Sequence, residues 1–224
     1  MTTGLWIHWF LPGILITLEL TVCGAALAAV IAFIAGVGRS ARHPLVRFAA
    51  GLYVEVFRGT SALVLMFWLF FVVPLAFHVQ LLPMWAAVLA LGLSYGAYGA
   101  EVVRGAIAAV PAGQREAAIA LSFTPAQQLR RVILPQALPE MIPSFTNLLI
   151  ELLKGTALVS AVSVADVSFA AQLARLATGE SLQIYAIVLL IYFVLAFAIT
   201  RGMRVLERRT KASVGQLSTM EIAR

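Results

Sequence analysis

Residues Leu11 to Val37 read LPGILITLELTVCGAALAAVIAFIAGV, a long apolar run that carries a single charge, Glu19. About 20 apolar residues in helical form cross a bilayer, so this stretch is long enough to span one with some tilt. It also holds the chain's one cysteine, Cys23. A lone cysteine leaves no intrachain disulfide, and Cys23 reads as a small packing residue. Met1 to Phe10 lacks a basic cluster, and the apolar run exceeds a cleavable signal core, so this span is expected to stay in the mature protein.

Working outward, four further stretches have the same character: roughly 53–74, 84–109, 141–163 and 184–206. The composition agrees, with 62% apolar and 12% charged residues in 224 and a mean hydropathy of +0.96. Soluble domains are about half apolar and about a quarter charged. The expected fold class is therefore an all-α membrane protein of five transmembrane helices. A transmembrane domain is expected over 1–210 and a tail over 211–224, with no internal repeat. The net charge of +6 and pI near 10.1 come from short clusters between apolar runs. Membrane lipid is the partner this implies, and nucleic acid is not.

The basic residues set the orientation. Arg39, Arg42 and Arg47 follow the first span; Arg115, Arg130 and Arg131 separate the third from the fourth; Arg201, Arg204, Arg208, Arg209 and Lys211 end the fifth. The opposite side carries only Arg175. Basic loops stay in the cytoplasm, so the N-terminus is outside and the C-terminus inside.

That topology gives depths to the intramembrane charges. Glu55 and Arg58 in the second span, and Glu101 and Arg104 in the third, are expected near the cytoplasmic end as ion pairs closing the inner mouth, because an unpaired charge in a span is costly. Glu151 lies about 16 Å into the fourth span at 1.5 Å per residue, with Lys154 on the same face. Two readings stand: a functional pair in the midplane, or two charges that neutralise each other. Glu19 is a lone acid in the outer half, where packing and pathway lining fit equally. Ser94 and Tyr98 of the third span, with Thr156, complete the polar candidates for a substrate pathway.

Between the third and fourth spans, 110–140 lies in the cytoplasm. Gln114 to Leu121 has good helix formers, Ser122 to Pro125 breaks them, and Thr124 with Pro125 starts a second short helix. This helix is expected to end before Pro135, with Pro139 and Pro143 punctuating the approach to the fourth span. Small residues at Ala117 and Ala118 beside an exposed Glu116 suit docking in a partner's groove, although a plain interfacial helix looks similar.

EAAIALSFTPAQQLRRVILP, starting at Glu116, resembles the EAA loop of bacterial ABC importer permeases. Glu116, Ala117, Ala118, Leu134 and Pro135 match that pattern; Ser122 stands where glycine is usual and Val132 where isoleucine is. YVEVFRGTSALVLMFWLFF from Tyr53, YGAYGAEVVRGAIAAVPAGQ from Tyr95 and LLKGTALVS from Leu152 are similar to the polar amino-acid permease subfamily. The resemblance implies a type I ABC importer permease fold whose EAA loop is the coupling helix, with Glu116, Ala117, Ala118 and Ser122 meeting an ATP-binding subunit. It also implies two such subunits, a second permease subunit (identical or homologous), an extracytoplasmic solute-binding protein, and a bacterial inner-membrane location. The subfamily usually has Asn-Glu early in the fourth span; here Leu148 follows Asn147, and the acid comes one turn later, at Glu151. LLKGTALVS also resembles ectoine and hydroxyectoine permeases.

The chain has no Gly-x4-Gly-Lys-Ser/Thr run, so ATP and Mg are expected on the partner subunit. No catalytic or metal-binding residues are expected, and the chain reads as a transport subunit and not an enzyme. The implied mechanism is alternating access, with the binding protein meeting 75–83 and 164–183 outside. An ion-gradient-driven secondary transporter is the alternative. It calls for inverted repeats and paired broken helices, and neither is visible in the sequence.

Overall fold

The computed structural model describes the backbone of residues 3–213 and the side chains of 10–210. All regular structure among them is helical: α1 (Thr3–Arg39), α2 (Pro44–Gly59), α3 (Ala62–Phe77), α4 (Pro83–Ala109), α5 (Ala112–Ala120), α6 (Pro125–Val162), α7 (Val167–Thr178) and α8 (Ser181–Ser213). Four of these, α1, α4, α6 and α8, are long and apolar enough to span alone; α2 with α3 makes a fifth, broken span. The five-span, all-helical expectation holds. The tail expected at 211–224 falls beyond the described side chains, and its residues 214–224 lie outside the described residues.

The centre of the bundle is α1 against α4. Both run inward from the outer face, and small residues let them approach closely. Gly92 and Gly96 of α4 form a Gly-x-x-x-Gly step. A methyl group at Gly96 would lie 2.9 Å from Ile31 Cγ2 of α1. In lipid, helix association draws on such close packing because the surrounding acyl chains are as apolar as the side chains. Leu20, Met66, Leu91, Val159 and Val162 build the outer half of the core. Ala32, Val103, Ile107, Ile133 and Met141 build the inner half.

Two sequence boundaries need correction. The second span is not one helix over 53–74: the chain breaks at Thr60 and Ser61 and turns by 100°. Its first arm starts at Pro44, so Arg58 stands about 21 Å along it at 1.5 Å per residue, well away from the cytoplasmic start. The fourth span is not preceded by a separate short helix ending before Pro135. Instead α6 runs unbroken from Pro125 to Val162 through Pro135, Pro139 and Pro143.

A widened turn explains why Pro135 is tolerated. Residues Gln128–Ile133 form a π turn, with the Leu134 N–H bonded to the Leu129 carbonyl five residues back. A proline ring normally collides with the carbonyl four residues before it, and a wider turn moves that carbonyl aside. The same device precedes Pro74, where Trp68–Val72 is a π turn. The 164–183 connection is also more ordered than its sequence implied, since it contains α7. Val167, Ala170, Ala171 and Ala174 of α7 pack on Phe10 and Ile184.

Candidate functional site

Helix α5 lies beside the ends of α1 and α4 and is held on three sides. Ala118 is buried, Arg115 donates from Nη2 to the Ile107 carbonyl of α4, and Gln136 of α6 donates to Gln114 Oε1 at 3.2 Å. The opposite face is open. Glu116 and Ala117 are exposed, and Ile119 and Leu121 are 58% and 68% exposed. Solvent-facing leucine and isoleucine beside an acid make an open apolar patch, and the hydrogen bonds of Arg115 and Gln114 fix α5 against α4 and α6.

The turn after α5 is set by hydrogen bonds and one left-handed residue. Ser122 and Phe123 donate from their N–H groups to Ile119 and Ala118 carbonyls at 2.8 and 3.0 Å. Ser122 has φ +57°, a conformation that glycine adopts without the Cβ penalty. Thr124 then caps α6: its Oγ1 accepts from Gln127 N–H, and Gln127 Oε1 accepts from the Thr124 N–H, at 2.9 Å. The Thr124–Pro125 start was legible in the sequence; the fusion of this helix to the fourth span was not.

The expected inner-mouth pairs form differently. Glu101 binds Arg104 on its own helix at 2.9 Å and also pairs with Arg39 at the end of α1. Glu55 and Arg58 do not pair: both are exposed, and no ion pair joins them among the described residues. Arg58 instead sits at the break of the second span, its guanidinium carbon 5.4 Å from the Tyr98 ring centroid. The Tyr98 hydroxyl donates to the Arg58 carbonyl at 3.3 Å.

Tyr98 leads on to the fourth span. Its ring lies 6.4 Å from that of Tyr95, and the Tyr95 hydroxyl donates to the Glu151 carbonyl at 2.9 Å. Glu151 and Lys154 are both exposed, and they make no ion pair with each other or with any described residue. Arg58, Tyr98, Tyr95 and Glu151 thus form a chain of contacts across three spans, with a cation at one end and an acid at the other. Tyr95 was missed from sequence, and its YGAYG context was the available signal. Ser94 and Thr156, grouped with the pathway by sequence, are 3% and 0% exposed. They are inside the packing of this chain and do not line an open face.

Thr156 belongs to a buried polar cluster at the outer end. Its hydroxyl lies 3.5 Å from that of Tyr192, which in turn donates to Asp166 Oδ2 at 3.4 Å. Asp166 Oδ1 accepts from the Phe169 N–H at 2.9 Å and caps α7. Burial pushes the Asp166 carboxyl up, against hydrogen bonds from Phe169, Ser168 and Tyr192 that pull it down. Thr17 of α1 accepts from the Val167 N–H at 3.3 Å. The cluster locks α1, α6, α7 and α8 together. Glu19, by contrast, is exposed on α1.

Residues 24–212 match the family described as binding-protein-dependent transport system inner membrane component. A probable amino-acid ABC transporter permease of Sinorhizobium fredii, y4tF, is 47% identical over 87% of this chain and 84% of its own length. The glutamine transport system permease of Escherichia coli is 33% identical over 90% and 92%. The L-cystine transport system permease TcyB of Bacillus subtilis is 36% identical over 88% and 84%. Among solved structures, an amino acid ABC transporter with histidines superposes with TM-score 0.84 at 30% identity, covering 93% of this chain and all of the other. The MetNI methionine transporter shares the fold, with TM-score 0.80 at 24% identity over 94% and 99%.

Proposed function

Because this chain belongs to the binding-protein-dependent transport system inner membrane components, we propose that it is the permease subunit of an ATP-driven importer for a polar amino acid. It is a multi-pass inner-membrane protein and a transport component, not an enzyme. The observation that carries the proposal is the tethered cytoplasmic helix α5, with Glu116, Ile119 and Leu121 turned outward. ATP and Mg bind to two partner subunits, each gripping one such helix through Glu116, Ala117, Ala118 and the Ser122 turn. A second permease subunit completes the pathway, and a solute-binding protein delivers substrate outside. In this reading residues 1–210 are the permease domain and 211–224 its cytoplasmic tail.

The mechanical consequence follows from the tethers. Closing the ATP-binding subunits displaces α5, and Arg115 and Gln114 pass that displacement to α4 and α6. These two helices carry Tyr98 and Glu151, so the pathway reshapes with the ATP cycle. Arg58 is suited to a substrate carboxylate, Glu151 to its cationic nitrogen, and Lys154 extends the polar face. An amino acid carries both groups, and so does a cyclic zwitterion such as ectoine. Calorimetry on the cognate binding protein with glutamine, cystine and ectoine separates them, and an amino acid is the expected ligand. The ion-gradient alternative loses its support to the family membership, and only one span among the described residues is broken.

Glu116→Lys tests the coupling role in the complete importer. Uptake and substrate-stimulated ATP hydrolysis should fall while membrane insertion is unchanged. Normal uptake by that variant sinks the proposal.

A further inference from the structure

Four arginines from separate parts of the chain converge on one groove at the cytoplasmic end of the bundle. The groove has a volume of about 660 Å³ and lies between the ends of α1 and α4, helix α5 and the first turns of α6. Arg39 and Arg42 line it from the end of α1 and the turn after it, Arg104 from α4 and Arg115 from α5. No Asp or Glu is among its lining residues. Glu101 stands behind Arg39 and Arg104 and pairs with both, so one carboxylate is set against the charge of four guanidiniums and pairs with two of them. Arg42 has no ion pair among the described residues. Arg115 spends one N–H on the Ile107 carbonyl, while its Nε is buried without an acceptor among the described residues.

We propose that this groove binds the phosphate of an anionic glycerophospholipid from the inner leaflet. Two spanning helices end at it, on the side that the arginine bias assigns to the cytoplasm, so it lies at headgroup depth. That leaflet is negatively charged, and basic pockets between helices on its side suit lipid headgroups. Guanidinium forks match phosphate oxygens in geometry as well as charge. Val37, Ile107 and Ile133 provide an apolar wall in the same groove, against which the first carbons of the acyl chains can lie. A free phosphate ion has no use for that wall. The headgroup bridges the bundle and α5, so it braces the coupling helix where Arg115 already anchors it. This inference rests on the cytoplasmic placement of α5 and is independent of which solute is carried.

The test is native mass spectrometry of the assembled transporter in a neutral detergent, titrated with phosphatidylglycerol and, separately, phosphatidylcholine. Phosphatidylglycerol should be retained in preference, and excess inorganic phosphate should not displace it. Arg42→Gln, in an exposed turn, should weaken retention about fivefold, and Arg42→Gln with Arg115→Gln about twenty-five-fold. Arg204→Gln, on α8 outside the groove, should leave retention unchanged. Equal retention of both lipids overturns the proposal, as does an equal loss in Arg204→Gln. Displacement by inorganic phosphate marks a free-anion site instead. Retention by the permease alone but not by the assembly shows that the ATP-binding subunit fills the groove, which also overturns it. A change in the coupling test at Glu116 has no bearing on these readouts, so the two failures are distinguishable.

Discussion

Gly36→Ala probes the seam between α1 and α4 where a methyl would meet backbone and a Cβ. The added methyl would lie 2.7 Å from the Ala100 carbonyl oxygen and 2.6 Å from Val103 Cβ. Neither atom can swing away, because one is backbone and the other is bonded directly to it. Ordinary packing begins at 3.4 Å, so the helices must part by about 0.8 Å, a gap that forfeits roughly a quarter to a half of each dispersion contact along the seam. Overpacking of this kind costs about 1–3 kcal/mol, and alanine's better helix propensity returns up to about 1 kcal/mol. A net loss of about 1–2 kcal/mol should lower the melting temperature by about 2–8 °C for a chain of this size. The assay is fluorescence-detected size exclusion after heating, at one scan rate and in one detergent. Gly105→Ala is the control, since a methyl there meets nothing within 4 Å. Wild-type stability for Gly36→Ala, or an equal loss at Gly105, would refute the packing argument. Arg39 lies three residues beyond Gly36 and pairs with Glu101 across the same seam, so uptake should fall together with stability.

Asp166→Ala removes the α7 cap and one of three partners of the Tyr192 hydroxyl, and should cost about 1–3 kcal/mol in the same assay. Asp166→Asn keeps a capping oxygen and suits a carboxyl already pushed up by burial, so it should cost about 1 kcal/mol or less; equal losses would show that the cap is unimportant. Glu151→Gln should reduce uptake kcat/KM at least about tenfold through the lost charge-assisted contact, and unchanged uptake would remove Glu151 from the pathway. Ser122→Gly relieves a left-handed backbone and should slow amide exchange across 121–123 about two- to fivefold. Faster exchange there would mean that serine, through its lower unfolded-state entropy, is the better residue.

Apolar length and arginine placement are local properties, and they were enough to delimit the five apolar segments and to set the expectation that 110–140 faces the cytoplasm. The Thr124–Pro125 helix start and the acid at Glu151 were legible for the same reason, since each depends on a few neighbouring residues. Helix continuity was not. Pro135 read as a stop because a proline conflicts with a regular α-turn, and only the π turn at Gln128–Ile133 shows how the chain avoids that conflict. The 100° break at Thr60 and Ser61 had no proline or charge run to announce it. Pairing across helices was likewise beyond the sequence. Glu101 chose Arg39, sixty-two residues away, and left Glu55 and Arg58 apart, because depth and facing depend on where each helix begins and how it rotates against its neighbours. Burial of Ser94 and Thr156 and the approach of Tyr95 to Glu151 were equally out of reach of the sequence. Sequence therefore determined which segments are apolar and long enough to enter the membrane. The tertiary packing, set by small residues that bring α1 against α4, decided which charges meet and which remain exposed.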